Sequence, residues 1–364
     1  MKTGIFTLVL ACVAAPVLAQ TPKPVRQASP SLLAKVDSIF LPYARPDRPG
    51  YAIAIVQNGR LRHARGYGSA NLDYQIPLTP QSVFNVASLS KQFTAAAVAI
   101  LIRQGKLTLK DPVKAHIPSF PDYPGPVRIE HLIYMTSGLA EYYTLPRANG
   151  RDWDRDYFTV QDAIAATLAQ PTLLFRPGSR WAYSNVNYQI LAEIVERVSG
   201  SSFASFVDRE IFRPLNMTRT LVNDDLGVVI PGRVTGYNER STGGYQQEVR
   251  RAPHYGGSGV FTSVEDLIRW DAAFDTHALG GPALTALLLS TRKFEHAKAN
   301  DAFGLVWGDI RGHRMLWYEG GDLGFSSYMA RLPDDQLTVI VLSNVGTGRA
   351  ADHGRRILEL LVTR

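Results

Sequence analysis

The sequence predicts an α+β fold: one antiparallel sheet assembled from both ends of the chain, flanked by terminal helices, with a mostly helical second region between. Paired strand groups at either end and a helical period in the middle carry that expectation. Tyr51 to Val56 and Arg60 to Tyr67 flank Asn58-Gly59, the dipeptide that most readily supplies two positive φ angles, so they form a two-residue hairpin. Near the other end, Gly304 to Ile310 turns at Arg311-Gly312 into His313 to Tyr318, and Phe325 to Leu332 turns at Pro333-Asp334-Asp335 into Leu337 to Leu342. A last helix, Arg349 to Val362, spaces Ile357, Leu358, Leu360 and Leu361 to cover a sheet face. Between the strand groups, helices are expected at Gln92 to Arg103, Val160 to Leu168, Tyr188 to Val198, Phe203 to Phe212 and Val264 to Phe274. Ser263 and Asp266 make a capping-box-like start for the last of these, and Gly105 and Gly200 end others. Residues 236–259, rich in Gly and Tyr, read as long loops at the rim of a cleft along the seam.

The ends of the chain set compartment and organisation. Lys2, an apolar run from Ile5 to Ala15 and Val17-Leu18-Ala19 before Gln20 have the form of a signal peptide over residues 1–19. The apolar run is shorter than the roughly 20 residues a membrane span needs. Residues 20–30 are Pro-rich and read as a tether, leaving residues 31–364 as one domain with a sheet region at about 31–85 and 300–364 and a helical region at about 86–299. The expected location is the periplasm or the outside of the cell. Cys12, the single cysteine, lies in the leader, so the mature chain has no disulfide and no thiolate nucleophile. With 364 residues, 45% of them hydrophobic, the chain can hold together by packing alone.

Composition also narrows the chemistry. The net charge is +7, but no run of five or six Lys or Arg occurs, which argues against nucleic acid as a partner. A mild basic balance suits contact with anionic cell-envelope polymers. Eight dispersed histidines include no His-Glu-x-x-His, so neither metal nor cofactor is expected. No Gly-x-Ser-x-Gly elbow occurs either, because Gly256-Gly257-Ser258-Gly259 continues into Val260.

Ser88-Leu89-Ser90-Lys91 places a hydroxyl and an amine at i and i+3, on one face of a first helical turn. That spacing is weak by itself, since about one such pair is expected by chance in a chain of this size. Its sequel strengthens it: Gln92 to Ile102 is apolar nearly all round, the mark of a buried helix whose N-terminus points into protein. A protonated lysine cannot take a serine proton, and burial is the force that shifts a lysine toward its neutral form. The helix start also offers backbone N–H donors to an oxyanion.

Val83-Phe84-Asn85-Val86-Ala87-Ser88-Leu89-Ser90-Lys91-Gln92-Phe93-Thr94-Ala95 resembles the active-site segment of class C-type serine β-lactamases and their DD-peptidase and esterase relatives. Further motifs follow in the family's order. Trp181-Ala182-Tyr183-Ser184-Asn185 is similar to its Tyr-x-Asn motif, and Met135-Thr136-Ser137-Gly138-Leu139 to a segment usually reading His-Thr-Ser-Gly-Leu. Gly320-Gly321-Asp322-Leu323-Gly324-Phe325-Ser326-Ser327 is similar to the third-motif strand. Together they cover roughly residues 30–362 and imply a β-lactamase/penicillin-binding-protein-like fold with the site at the seam.

The resemblance implies that Ser88 is acylated, that Lys91 holds or takes its proton, that Tyr183 returns a proton to the leaving group and that Asn185 orients the substrate. Lys91 and Tyr183 then act as a coupled pair, with the proton assigned to neither. Where relatives carry Lys-Thr-Gly or His-x-Gly, this chain has Tyr318-Glu319-Gly320, with Gly321 N–H as the implied second oxyanion donor. The missing cation and the acidic Glu319 lead us to expect a preference for neutral esters or amine-bearing substrates over carboxylate-bearing ones. The expected function is an exported serine hydrolase that cleaves an ester or amide, a D-amino-acid peptide or β-lactam included, through an acyl-Ser88 intermediate. The rival is a penicillin-binding sensor or scaffold with little turnover. The expected partner is a small-molecule or peptide substrate, with the oligomeric state left open.

Overall fold

The computed structural model describes residues 25–145, 156–292 and 300–362. The leader and the first residues of the expected tether lie outside them. In chain order the elements used below are α1 (Pro30–Phe40), β1 (Tyr51–Gln57), β2 (Arg60–Tyr67), α2 (Lys91–Arg103), α3 (Val160–Leu168), α4 (Asn185–Ser199) and α5 (Phe203–Val207). They continue with β3 (Gly236–Glu239), β4 (Tyr245–Glu248), α6 (Val264–Thr276), β5 (Val306–Ile310), β6 (His313–Asp322), β7 (Phe325–Leu332), β8 (Leu337–Ser343) and α7 (Ala350–Leu361).

The expected mixed fold is the one observed. Six strands form one sheet in the order β5-β6-β7-β8-β1-β2, antiparallel throughout, so the first strand of the chain pairs with its last. Both faces of the central strands are covered, which explains why β1, β7 and β8 are buried along their whole length instead of alternating with solvent. Ile53, Ile55, Val339 and Val341 pack on one face against Val36 and Phe40 of α1 and Ile357, Leu358 and Leu361 of α7. Their neighbours Ala52, Ala54, Ile340 and Leu342 turn the other way, into the larger core with Phe93 of α2 and Trp270 of α6. The end of the expected tether is held rather than loose: Val25 bridges Val362, and Gln57 bonds both Ala28 N and Arg26 O at 3.0 Å.

Several boundaries differ from the sequence expectation, each for a local reason. Ser88 lies in a 3₁₀ turn, Ala87–Ser90, that feeds α2 rather than in the α-helix itself. The helix expected from Tyr188 begins at Asn185, because Ser184 is extended and starts the helical run earlier. Phe203 to Phe212 is not one α-helix but α5 followed by a π-helical turn at Asp208–Phe212. Within 236–259 the chain forms a hairpin, β3 with β4, turning through Gly243 and Gly244 at φ 87° and 79°, and only the part beyond Glu248 is irregular.

Two features expose the site. Strand β5 pairs with β6 only as far as Trp317, which leaves the edge of residues 318–322 open toward the seam. α2 is buried at every position from Lys91 to Leu101, so its start lies inside protein.

Candidate active site

Phe84–Asn85 pairs with Val260–Thr262 and fixes the chain entering the turn. Ala87 then takes φ 50°, a left-handed conformation that costs a residue with a side chain, and Asn85 Oδ1 accepts its N–H at 2.9 Å. This turn presents Ser88 half-buried at the floor of a cleft of about 830 Å³.

Lys91, fully buried one turn on, has all three ammonium donors engaged: Ser88 Oγ at 3.0 Å, Asn185 Oδ1 at 2.8 Å and Gly257 O at 2.6 Å. Tyr183 OH stands 2.8 Å from Ser88 Oγ and donates to Asn185 Oδ1 at 3.1 Å. Lys91 Nζ also lies 5.0 Å from the centre of the Tyr183 ring. Ser88, Lys91, Tyr183 and Asn185, spread over almost a hundred residues of sequence, thus form one closed hydrogen-bonded ring. The loop bearing Tyr183 is tied down by backbone bonds from Ala182 N to Met135 O and Gly178 N to Thr136 O, while Ser137 Oγ donates to Asn187 Oδ1 at 2.6 Å. The Met-Thr-Ser-Gly-Leu segment therefore acts by holding its neighbours.

The third-motif residues divide. Gly320 packs so closely on the Ser88 turn that a Cβ there would stand 2.8 Å from Ser88 N and 2.7 Å from Val86 O. Gly321 lies next to it in the cleft, beside open space. Tyr318 is half-buried beside Tyr183; burial first, then its neighbours Tyr183, Tyr188 and Asp301, push its hydroxyl well above the usual phenol range, so it is a neutral donor. Glu319 does not present a free acid to the cleft, because Arg355 Nη2 of α7 binds its carboxylate at 3.2 Å. The sequence expectation treated that acid as unpaired. A partner 36 residues downstream on another element leaves no trace in local spacing.

Several site residues were invisible from sequence. Gly257 supplies a carbonyl to Lys91 from a glycine cluster whose composition predicts only a loop, and Gly256 O accepts Thr94 Oγ1 at 2.6 Å. Glu141 accepts the N–H of Asn185; burial pushes its carboxyl up, against the pull of that bond and of Lys91. Asp322 is buried, and although burial alone would raise it, the Arg250 guanidinium holds it below the usual carboxylate range, with Asn85 Nδ2 donating at 3.0 Å. Among the described residues no group of His, Cys, Asp or Glu is placed to hold a metal ion.

The family described as Beta-lactamase matches residues 36–363. The chain is 28% identical over 302 residues to the D-aminopeptidase of Gluconobacter oxydans, covering 83% of this chain and 57% of that protein. It is 31% identical over 315 residues to penicillin-binding protein 4* of Bacillus subtilis, covering 80% of this chain and 67% of that one. Among solved structures, the octameric penicillin-binding protein homologue from Pyrococcus abyssi superposes with a TM-score of 0.79 at 22% identity, over 90% of this chain and 77% of that chain.

Proposed function

The chain belongs to the beta-lactamase family, and from that premise we propose that it is a serine hydrolase that cleaves an ester or amide through an acyl-Ser88 intermediate. The observation that carries this reading is the position of Ser88 Oγ, 2.8 Å from Tyr183 OH and 3.0 Å from Lys91 Nζ, in an open cleft. Ser88 Oγ attacks the substrate carbonyl carbon while its proton passes to the Lys91–Tyr183 pair, which in its reactive form carries one proton fewer than the fully donating ring and acts as one relay. The tetrahedral oxyanion forms where the N–H groups of Ser88 and Gly321 are the available donors. Collapse breaks the bond to the leaving nitrogen or oxygen, which takes the proton back from the relay. Water then attacks the acyl carbonyl by the same route in reverse and frees Ser88. Asn185, bonded to both relay members, keeps them in register and borders the space the substrate enters.

For the substrate class, the D-aminopeptidase likeness favours D-aminoacyl amides and short D-peptides, with simple esters next. The chain spans 57% of the length of that relative, so only the part it shares informs this choice. Tyr318, a neutral phenol where relatives of this kind carry a cation, argues against rapid turnover of β-lactams that must be held by their carboxylate. The leader-like segment supports export, testable by fractionation and by the N-terminus of the mature protein. The positive net charge favours contact with envelope polymers, testable by sedimentation with purified cell-wall material.

A turnover panel tests the reading: short-chain aryl esters, a chromogenic cephalosporin, D-alanyl peptides and D-aminoacyl amides. Hydrolysis of esters and D-aminoacyl amides, lost in Ser88→Ala, is the expected result. A stoichiometric Ser88 adduct with no turnover of any member would favour a sensor instead.

A further inference from the structure

Four acids line the cleft among the described residues, and they differ in what balances them. Asp322 is paired with Arg250, Glu319 is paired with Arg355, and Asp352 is exposed on the first turn of α7. Asp301 is half-buried, and no cation among the described residues pairs with it. It sits just before β5, with its backbone bridged to Val306. Among the described residues the side chain that favours its charge is that of Trp181, a neutral donor. Burial raises its pKa to about 6, and that contact and its own backbone only partly oppose the shift.

This carboxylate lines the same cleft as Ser88. Trp181, the neutral donor that favours its charge, stands two residues before Tyr183, whose hydroxyl lies 2.8 Å from Ser88 Oγ. Its charge also acts on the hydroxyls of Tyr318 and Tyr188. A carboxylate with no counter-ion among the described residues, in a cleft also lined by Trp181, Tyr183 and Tyr318, has the composition of an ammonium site: the acid supplies the charge, and aromatic rings favour a cation over water.

We propose that Asp301 binds the α-ammonium group of an aminoacyl amide or short peptide whose carbonyl is attacked by Ser88, and so sets the enzyme's preference for amine-bearing acyl groups. This rests on the serine hydrolase reading above. The α-nitrogen of such a substrate is two bonds from the scissile carbonyl, which requires the acid to lie beside the nucleophile rather than at the cleft mouth. The preference for amines expected from Glu319 is thereby assigned to another residue. The acid carries its charge above about pH 6 and loses it below, so the advantage of the amine falls as pH drops through that value, and it falls again above about pH 8, where the substrate's own α-ammonium deprotonates. Among the described residues the titratable groups on which the charge of Asp301 acts are the phenols of Tyr188 and Tyr318, both raised far above this range.

The test compares two p-nitroanilides that differ by one group, that of D-alanine and that of propionic acid, on the full mature chain. Wild type is expected to favour the amine by about tenfold or more in kcat/KM, and Asp301→Asn to bring the ratio to within about twofold, mainly through KM. Asp301→Glu should recover part of the ratio. A general disturbance of folding lowers both substrates together and leaves the ratio alone. In wild type, propylammonium should inhibit aryl ester hydrolysis competitively and more strongly than propanol, a measurement that needs no variant. A ratio near one in wild type, or a ratio unchanged in Asp301→Asn, overturns the assignment while the hydrolase reading stands. Failure to turn over either anilide or any aryl ester, with no label at Ser88, overturns both.

Discussion

The turn that carries Ser88 and the strand that carries Tyr318 border the same cleft but are held differently. Around Ser88, every donor of Lys91 is engaged, the preceding Ala87 is in a strained conformation, and the helix behind is buried through eleven successive positions, Lys91 to Leu101. Along residues 318–322 one edge of β6 is unpaired, and Glu319 is tied to Arg355 by a bond between side chains that are each more than two-fifths exposed. Steps common to every substrate need a fixed geometry, and a packed interior supplies it. Contacts that choose among substrates are made at the open edge, where a residue can change without unsettling the core. The comparison predicts large losses for changes on the first side and small ones on the second.

After Ser88 itself, the largest effect is expected from the relay. Lys91→Ala and Tyr183→Phe should each lower kcat by about three orders of magnitude, and the double variant by far less than the product, because the two act on one proton. Steady-state kinetics of the four proteins decide it, and multiplicative losses would separate the pair. Lys91→Ala should also reduce thermal stability, since Asn185 Oδ1 and Gly257 O lose a buried donor.

Next comes the point where the two regions touch. Gly320→Ala puts a methyl 2.8 Å from Ser88 N, so the strand or the turn must shift, and kcat should fall by about a hundredfold with little change in KM. If this variant keeps full activity, the strand is looser against the Ser88 turn than the packing implies. Tyr318→Lys should then change kcat/KM only severalfold, and in favour of carboxylate-bearing substrates. The smallest effect belongs to Glu319→Thr: about twofold or less for any substrate, because an exposed ion pair contributes little. A large, substrate-dependent effect there would return Glu319 to the role that its position in sequence suggested.

What could be read from sequence follows the same division. The hairpin at Asn58-Gly59, the strands that meet across the chain ends and the buried helix after Ser88 are written in local patterns, turn dipeptides and periodicity, and the sheet has them. Ser88 and Lys91 were legible because three residues of helical turn bring them together, and the partners Tyr183 and Asn185 only because a family resemblance supplied motifs that local spacing does not. Gly257, Glu141 and Asp301 were not legible, since each meets the site through a tertiary contact with no repeating spacing. Glu319 shows the reverse error: its sequence position placed an acid at the cleft, and a helix at the other end of the domain supplied the cation.

The most direct test of the central claim is to trap the acyl group. Intact-protein mass spectrometry of a rapidly quenched reaction with an aryl ester should show a species heavier by the acyl group, and peptide mapping should place it on Ser88. Ser88→Ala should form no such species and should lose turnover by about four orders of magnitude while its thermal melt is unchanged. Turnover without an adduct, together with Ser88→Ala near the wild-type rate, would contradict the account.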